Sequence, residues 1–406
     1  MKTILIIGGG HAGAQAAASL RAEGFEGRLT LISAEEAIPY HRPPLSKAFM
    51  KTPDEGPQEL RPALFYEKND IELALGETVT LIDRAAGQVV TDGGRRAFDG
   101  LVLAPGARAR VPGVPGITLE NVFMLRTAAD AARLRDRFAR AGDIVVVGGG
   151  FIGLELAATA RLLGKAVTVL EAAPRLMGRA VAPQISAYFL DLHRALGASV
   201  LLETPVKAIL GEAGAAVAVE TADGRRLAAD TVIVGVGVVP NIELAAEAGL
   251  PIANGILVDA AMRTSDPRIV ASGDAVQFDH WALGRAVRLE SVQNAVDQAK
   301  TASATLLGRP QPYRAVPWFW SDQGDAKLQM VGLAHDATAH VLRGRPEDGA
   351  FSVFHFQADR LVAIDSVNRA ADHMLGRRLL AAGLSPTPAQ AADQDLDLKR
   401  LIPARG

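Results

Sequence analysis

The chain opens with an apolar run that ends in a glycine turn, Ile4-Leu-Ile-Ile-Gly8-Gly-Gly10-His-Ala-Gly13. The same device returns 140 positions later as Ile144-Val-Val-Val-Gly148-Gly-Gly150-Phe-Ile-Gly153. The register continues past the glycines, with Ala17, Ala18, Arg21 and Gly24 matched by Ala157, Ala158, Arg161 and Gly164. A second apolar run follows each copy, Leu29 to Ile32 and Val167 to Leu170, so the repeated unit is a whole strand-helix-strand start. A buried parallel strand reads as an unbroken apolar run because both of its faces are covered. The turn after it must bring backbone N–H groups close to a pyrophosphate at the N-terminus of the next helix, where partial positive charge collects, and only glycine permits that approach. A single G-x-G-x-x-G in a chain with 40 glycines carries little weight, but two in strand context predict two bound dinucleotides.

At 406 residues the chain exceeds the usual size of one core, and two or three domains are expected. A net charge of −2 provides no overall basic field, which argues against a nucleic-acid partner. The chain has no cysteine. That fits a reducing cytoplasm, the expected location, and excludes a disulfide, a thiolate nucleophile and a cysteine-ligated iron–sulfur cluster on this chain. Redox chemistry here needs a bound organic cofactor, and no metal site is expected. Three glycines interrupt the N-terminal apolar run, so Ile4 to Ile7 read as a strand and not as a signal peptide. No apolar run reaches the roughly 18 residues of a membrane span.

Between the repeats, Gly100-Leu-Val-Leu-Ala-Pro-Gly106 reads as a strand running into a turn, followed by the Pro/Gly-rich Val111-Pro-Gly-Val-Pro-Gly116. Its counterpart is Thr231-Val-Ile-Val-Gly235-Val-Gly237-Val-Val-Pro240-Asn241. The second dinucleotide unit then lies between two crossings, inserted into the first. Ile269-Val-Ala-Ser-Gly273-Asp274 is a short strand delivering an aspartate beside a glycine, a pattern that otherwise serves as a turn or cap. After Trp318 the texture changes: Gln329 to Leu333, Phe351 to Phe356 and Leu361 to Val367 are strand-like, and Asp372 to Ala382 is helix-like. The expected architecture is α/β with two Rossmann-type dinucleotide-binding domains, 1–110 plus 241–317 and 111–240, and a C-terminal α+β domain, 318–406.

Glu171 ends the second strand of the later repeat, 18 positions after Gly153. An acid there can bind a ribose 2′-hydroxyl and repel a 2′-phosphate, which favours NADH over NADPH. Arg175 and Arg179 follow closely, and either could pair with a 2′-phosphate. In the first repeat Ser33 takes the equivalent position, so Glu35, more than Glu36, is the acid expected at that ribose. Just downstream, Ile38-Pro-Tyr-His-Arg42-Pro-Pro-Leu-Ser-Lys47 is stiffened by its proline pair and could hold two cations rigidly, where an ordinary Pro-Pro stretch would be a solvated turn.

Taken together, Pro39-Tyr-His-Arg-Pro-Pro-Leu-Ser-Lys47, Gly148-Gly-Gly-Phe-Ile-Gly-Leu-Glu155, Pro174-Arg-Leu-Met-Gly-Arg179, Ser272-Gly-Asp274, Glu290-Ser-Val-Gln-Asn294 and Pro317-Trp-Phe-Trp-Ser-Asp-Gln323 resemble the FAD-dependent NADH:ferredoxin reductases. These are the reductase components of bacterial ring-hydroxylating dioxygenases and of ferredoxin-dependent haem-thiolate monooxygenase systems. The resemblance runs nearly end to end and implies a glutathione-reductase-like fold. It also implies that Gly8, Gly10 and Gly13, with His11 and Ala12 in the turn, hold the FAD pyrophosphate, with Glu35, Arg42, Lys47 and Arg126 as further contacts. Gly273 and Asp274 would meet the ribityl chain or nearby phosphate, and Glu290 to Gln293, including Ser291 and Val292, would lie near the isoalloxazine with Trp320. Gly150, Ile152 and Gly153 would face the NADH pyrophosphate, Glu171 and Arg179 the adenosine half, and Gly237 the same cofactor.

The resemblance further pairs Lys47 with Glu155 beside the flavin, where a cation favours the reduced, electron-rich ring and a carboxylate keeps it positioned. Read alone, Glu155 is an ordinary helix residue two positions past the last glycine. Ala104-Pro-Gly106 departs from the Ala-Thr-Gly more common in the family. The implied activity takes hydride from NADH onto FAD and passes electrons singly to a separate 2Fe-2S ferredoxin that feeds an oxygenase. Trp320 lies near the implied exit, and Arg309, Arg314, Arg369, Arg377 and Arg378 are candidates for steering an acidic ferredoxin, or else solvated helix faces. The competing readings are an NADH oxidase or small-acceptor (quinone or oxygen) flavin reductase, and an NADH-sensing flavoprotein. A reductase of this kind meets only NADH and ferredoxin, so the substrate hydroxylated downstream leaves no imprint on its residues.

Overall fold

The structure is a computed structural model and describes residues 1–52 and 55–402. The chain divides into two compact units. One comprises Met1–Arg42, Pro57–Arg108 and Val238–Ala315, the other Pro43–Gly56, Ala109–Gly237 and Val316–Gly406.

The first unit is built on a five-stranded sheet in the order Ile269–Ala271, Gly100–Leu103, Thr3–Ile7, Arg28–Ser33, Ile71–Leu75. All its pairings are parallel. Thr3–Ile7 lies at its centre, and Ile4 and Ile6 are fully buried, the outcome expected of an unbroken apolar run. The helix His11–Ala22 that follows is rich in alanine, and Ala14, Ala16 and Ala17 have no exposed surface. Small side chains let the helix Val292–Leu306 approach closely enough for the Ser303 hydroxyl to reach the Ala16 carbonyl oxygen, 3.4 Å away. Two three-stranded sheets complete the unit, Val79–Asp83 with Gln88–Thr91 and Gly94–Ala97, and Ile256–Leu257 with Val276–His280 and Arg285–Arg288.

The second unit repeats the plan with a five-stranded parallel sheet ordered Ser199–Leu201, Ala166–Leu170, Asp143–Val147, Thr231–Val234, Val122–Phe123. The repeat extends to the arginine matched in the two copies. Arg21, in the last turn of its helix, donates to the carbonyls of Phe25, Gly27, Asn69 and Asp70. Arg161 does the same for Leu196 and Lys165. Each arginine satisfies loop carbonyls just beyond a helix end, so this part of the internal repeat is structural.

The same unit carries the C-terminal layer, an antiparallel five-stranded sheet ordered Trp318–Gln323, Ala326–Gly332, Arg360–Val367, Ala350–Gln357, Ala339–Arg345. The strands expected around 329–333, 351–356 and 361–367 are all present, and the expected helix begins two residues earlier, as Ala370–Ala382. Val331, Phe354, Phe356, Ile364 and Leu379 form its core. Arg343 is buried and donates to the carbonyls of Ala391, Asp393, Gln394 and Leu396, strapping the last described segment onto this sheet. Among the described residues no helix is long and apolar enough to cross a membrane.

Candidate functional site

The two glycine turns superpose hydrogen bond for hydrogen bond. Gly8 N–H donates to the Ile32 carbonyl and Gly148 N–H to the Leu170 carbonyl, each at 2.8 Å. Gly10 and Gly150 cap their helices without any side-chain hydrogen bond, at φ −83° and −85°. The glycines do different work. A Cβ on Gly8 would lie 2.1 Å from the Ala104 carbonyl oxygen, and one on Gly153 would lie 2.4 Å from the Gly148 oxygen, so these positions are closed by the protein's own backbone. Gly8 and Gly148 also have positive φ, +116° and +105°. A Cβ on Gly10 would meet nothing within 4 Å, and one on Gly150 only the Gly235 oxygen at 3.8 Å. The open faces are therefore at the helix mouths, where uncapped N–H groups and the helix dipole suit a pyrophosphate. This donor set fits a dinucleotide at each turn.

Around the first turn, the unit brings together several residues singled out by sequence. A Cβ on Gly273 would stand 3.1 Å from the Ala12 methyl, so Ser272-Gly273-Asp274 abuts the start of the helix. Glu35 accepts from the Tyr40 hydroxyl at 2.5 Å and pairs with Arg42 at 2.6 Å. Burial alone would lower the Arg42 pKa, but Tyr40, Glu35 and Asp274 outweigh it and raise the value. The cation is thus held charged beside the turn. His11 packs edge-on against His41, 5.5 Å between ring centres, and burial lowers the His41 pKa. Ser291 caps the helix Val292–Leu306 by accepting from Asn294 N–H, and Val292 starts it.

Around the second turn, Glu171 lies against the glycines. Its carboxylate accepts from Gly149 N–H at 2.6 Å and from Ala173 N–H at 2.8 Å, so it is fixed to the turn itself. The two arginines behave differently. Arg175 donates to the carbonyls of Val181 and Gly178 and to the Ser186 hydroxyl. Arg179 is exposed, with a guanidinium nitrogen 3.8 Å from where a Cβ on Gly237 would lie. Ile152 is exposed in the first turn of the helix Phe151–Leu162. Arg126 precedes the capping box of the helix Ala128–Arg140, its N–H donating to Asp130.

The second unit also holds the ammonium–carboxylate pair. Lys47 Nζ lies 2.6 Å from Glu155 Oε2, and the Glu155 side chain is only 6% exposed. Glu155 sits on the buried face of its helix, which the spacing from Gly153 does not reveal. The Ser46 hydroxyl donates to the same oxygen at 2.5 Å and the Ser321 hydroxyl to Oε1 at 2.7 Å. Neither serine was singled out from sequence, although both lie inside the motifs that carry the resemblance. Trp320 is partly exposed on the strand Trp318–Gln323, 5.5 Å from Trp318 between ring centres. Arg377 covers Trp318 at 4.9 Å.

The five arginines considered for steering a partner divide. Arg309, Arg314 and Arg378 are exposed, Arg309 in a pair with Glu23 at 2.7 Å, whereas Arg369 pairs with Asp372 at 2.6 Å and Arg377 lies over Trp318. Among the described residues no group of histidines and acids could hold a metal ion.

A parallel-sheet unit with an open glycine turn, occurring twice in one chain, defines a two-dinucleotide oxidoreductase. The chain has no cysteine. The chain belongs to the pyridine nucleotide-disulphide oxidoreductase family, whose model matches residues 2–299, and a reductase C-terminal model matches residues 318–402. It is 48% identical to rhodocoxin reductase of Rhodococcus erythropolis across 98% of this chain and 94% of that protein. The crystal structure of the ferredoxin reductase for the CYP199A2 system from Rhodopseudomonas palustris matches with a TM-score of 0.96 at 46% identity, covering 98% of this chain and 99% of the other. The covalent putidaredoxin reductase–putidaredoxin complex matches with a TM-score of 0.94 at 39% identity, covering 98% of each chain.

Proposed function

We propose that this chain is a cytoplasmic NADH-dependent ferredoxin reductase, carrying FAD and delivering electrons to a separate 2Fe-2S ferredoxin in an oxygenase system. The observation that carries this reading is the end-to-end likeness to ferredoxin reductases of a chain whose two glycine turns are both open and which has no cysteine. Three domains are assigned: 1–110 with 241–317 for FAD, 111–240 for NADH, and 318–406 at the C-terminal end.

Bound FAD supplies the conversion of a two-electron hydride donor into one-electron transfers. The chain supplies the rest. Gly10 and the first turn of its helix would bind the FAD pyrophosphate, Arg42 would add a fixed positive charge, Glu35 would take the ribose, and Asp274 would take the ribityl or phosphate side. Gly150 does for NADH what Gly10 does for FAD, and Glu171 selects the unphosphorylated ribose. Arg179 is the cation assigned to the adenosine half. Lys47, held by Glu155, would supply the flavin with a fixed ammonium, a charge that favours added negative charge. Trp320, partly exposed on its strand, is the residue we assign to the side where electrons would leave.

The test is NADH-driven reduction of cytochrome c with and without added 2Fe-2S ferredoxin. Ferredoxin-dependent turnover, with NADH preferred over NADPH by at least about 10-fold, is expected. Equal turnover without ferredoxin, matched by oxygen or quinone reduction, would replace this reading with that of an oxidase or small-acceptor reductase.

A further inference from the structure

We propose that Ser321, aligned by Gln323 and His193, is a positioning residue that fixes the Glu155 carboxylate and through it the Lys47 ammonium. This rests on the reading that Lys47 and Glu155 serve flavin reduction.

The geometry makes these residues one directed chain. Ser321 Oγ lies 2.7 Å from Glu155 Oε1, Gln323 Nε2 lies 3.2 Å from Ser321 Oγ, and His193 Nε2 lies 2.9 Å from Gln323 Oε1. His193, Gln323 and Ser321 have no exposed surface, and Glu155 is 5% exposed. Hydrogen-bond bookkeeping sets every direction. An ionised carboxylate only accepts, so Ser321 spends its single proton on Glu155 and must accept from its other neighbour. Gln323 therefore presents its NH2 group to Ser321 and its oxygen to His193, which in turn must carry its proton on Nε2.

The His193 Nδ1 atom is buried without a partner, consistent with the neutral Nε2–H tautomer, and burial lowers this histidine's pKa. All three donors thus point the same way and end on one carboxylate oxygen. Aligned hydrogen bonds polarise one another in a low-dielectric interior, so the outer members strengthen the last bond. The other oxygen is occupied by Lys47 and Ser46. Glu155 therefore cannot rotate without breaking a bond on one side, and Lys47 inherits that fixity.

The assignment explains why a fully buried serine, glutamine and histidine sit where apolar residues would otherwise pack. A polar chain that served packing alone would have no reason to terminate on the one buried carboxylate that holds Lys47.

The experiment uses the FAD-loaded full chain. Flavin reduction by NADH is followed by anaerobic stopped-flow across a range of NADH concentrations, and Lys47 reactivity is read in parallel by competitive acetylation with acetic anhydride and mass spectrometry. Ser321→Ala removes a bond to a charged group and should slow reduction at saturating NADH by about 10-fold, with unchanged NADH dependence and several-fold faster Lys47 acetylation. Ser321→Thr keeps the hydroxyl and should restore both values. Gln323→Met, which leaves the serine but removes its donor, should give a smaller loss in the same direction.

Combined with Glu155→Gln, Ser321→Ala should add little, because both act on one group. Fully additive effects, or native rate and acetylation in Ser321→Ala, would overturn the proposal. Native reduction in Glu155→Gln itself would instead remove the underlying reading of the pair.

Discussion

Replacing Gly150 by alanine separates binding from folding with a single methyl group. The residue has φ −85° and ψ 178°, which alanine adopts freely, and the added Cβ would meet only the Gly235 oxygen at 3.8 Å. Alanine is a poorer helix cap than glycine by roughly 0.5–1 kcal/mol, and the stiffer unfolded chain returns about 0.4–1 kcal/mol, so stability should change by less than about 1 kcal/mol. The methyl instead occupies the space through which a pyrophosphate oxygen must reach the helix N–H groups. Each charge-assisted bond lost there costs about 1.5–3 kcal/mol, which corresponds to NADH binding about 10- to 150-fold weaker. Differential scanning fluorimetry gives the stability, the flavin absorbance gives FAD content, and the NADH dependence of flavin reduction gives the affinity. Gly153→Ala is the control, since its Cβ would lie 2.4 Å from the Gly148 oxygen and should lower the melting temperature. Native NADH affinity in Gly150→Ala would refute the assignment of this turn to the cofactor.

Three further outcomes are expected. Glu171→Gln should raise the NADPH to NADH ratio of kcat/KM by about 10-fold, because the charge that repels a 2′-phosphate is gone while Arg179 remains; steady-state assays with both cofactors measure it. Arg343→Lys cannot reproduce a guanidinium shared among four carbonyls, and should destabilise the C-terminal layer by about 2–4 kcal/mol, seen as a lower urea midpoint and faster limited proteolysis. Burial, with Arg377 adding to it, holds the His373 pKa down to about 4. The unfolded chain takes up this proton near 6.5 and the folded chain only near 4, so stability should fall as pH drops through that window. His373→Gln should flatten this part of the melting temperature profile against pH.

The glycine turns were legible because their requirements are local: an apolar strand, a tight turn and a helix mouth follow one another within a dozen residues. The C-terminal strands were legible for the same reason, as apolar runs between turns. The pairing of Lys47 with Glu155 was not, since it joins distant segments, and only the family resemblance suggested it. Ser321 lies inside a motif that carries the resemblance, but nothing in the sequence marks it as buried, because a serine on a strand normally faces solvent. Only burial and the carboxylate beside it reveal its place. The roles of Arg175 and Arg179 could not be told apart by spacing; three hydrogen bonds spend Arg175 on its own loop and leave Arg179 outside it.

Passage of electrons from NADH to a ferredoxin through this chain can be followed by two-stage anaerobic stopped-flow of the FAD-loaded protein. Flavin absorbance is followed first on mixing with NADH and then on mixing with oxidised 2Fe-2S ferredoxin. Rapid bleaching by NADH, slow bleaching by NADPH and prompt recovery of colour with ferredoxin are expected. Bleaching that ferredoxin leaves unchanged, and that only oxygen or quinone reverses, would contradict the account.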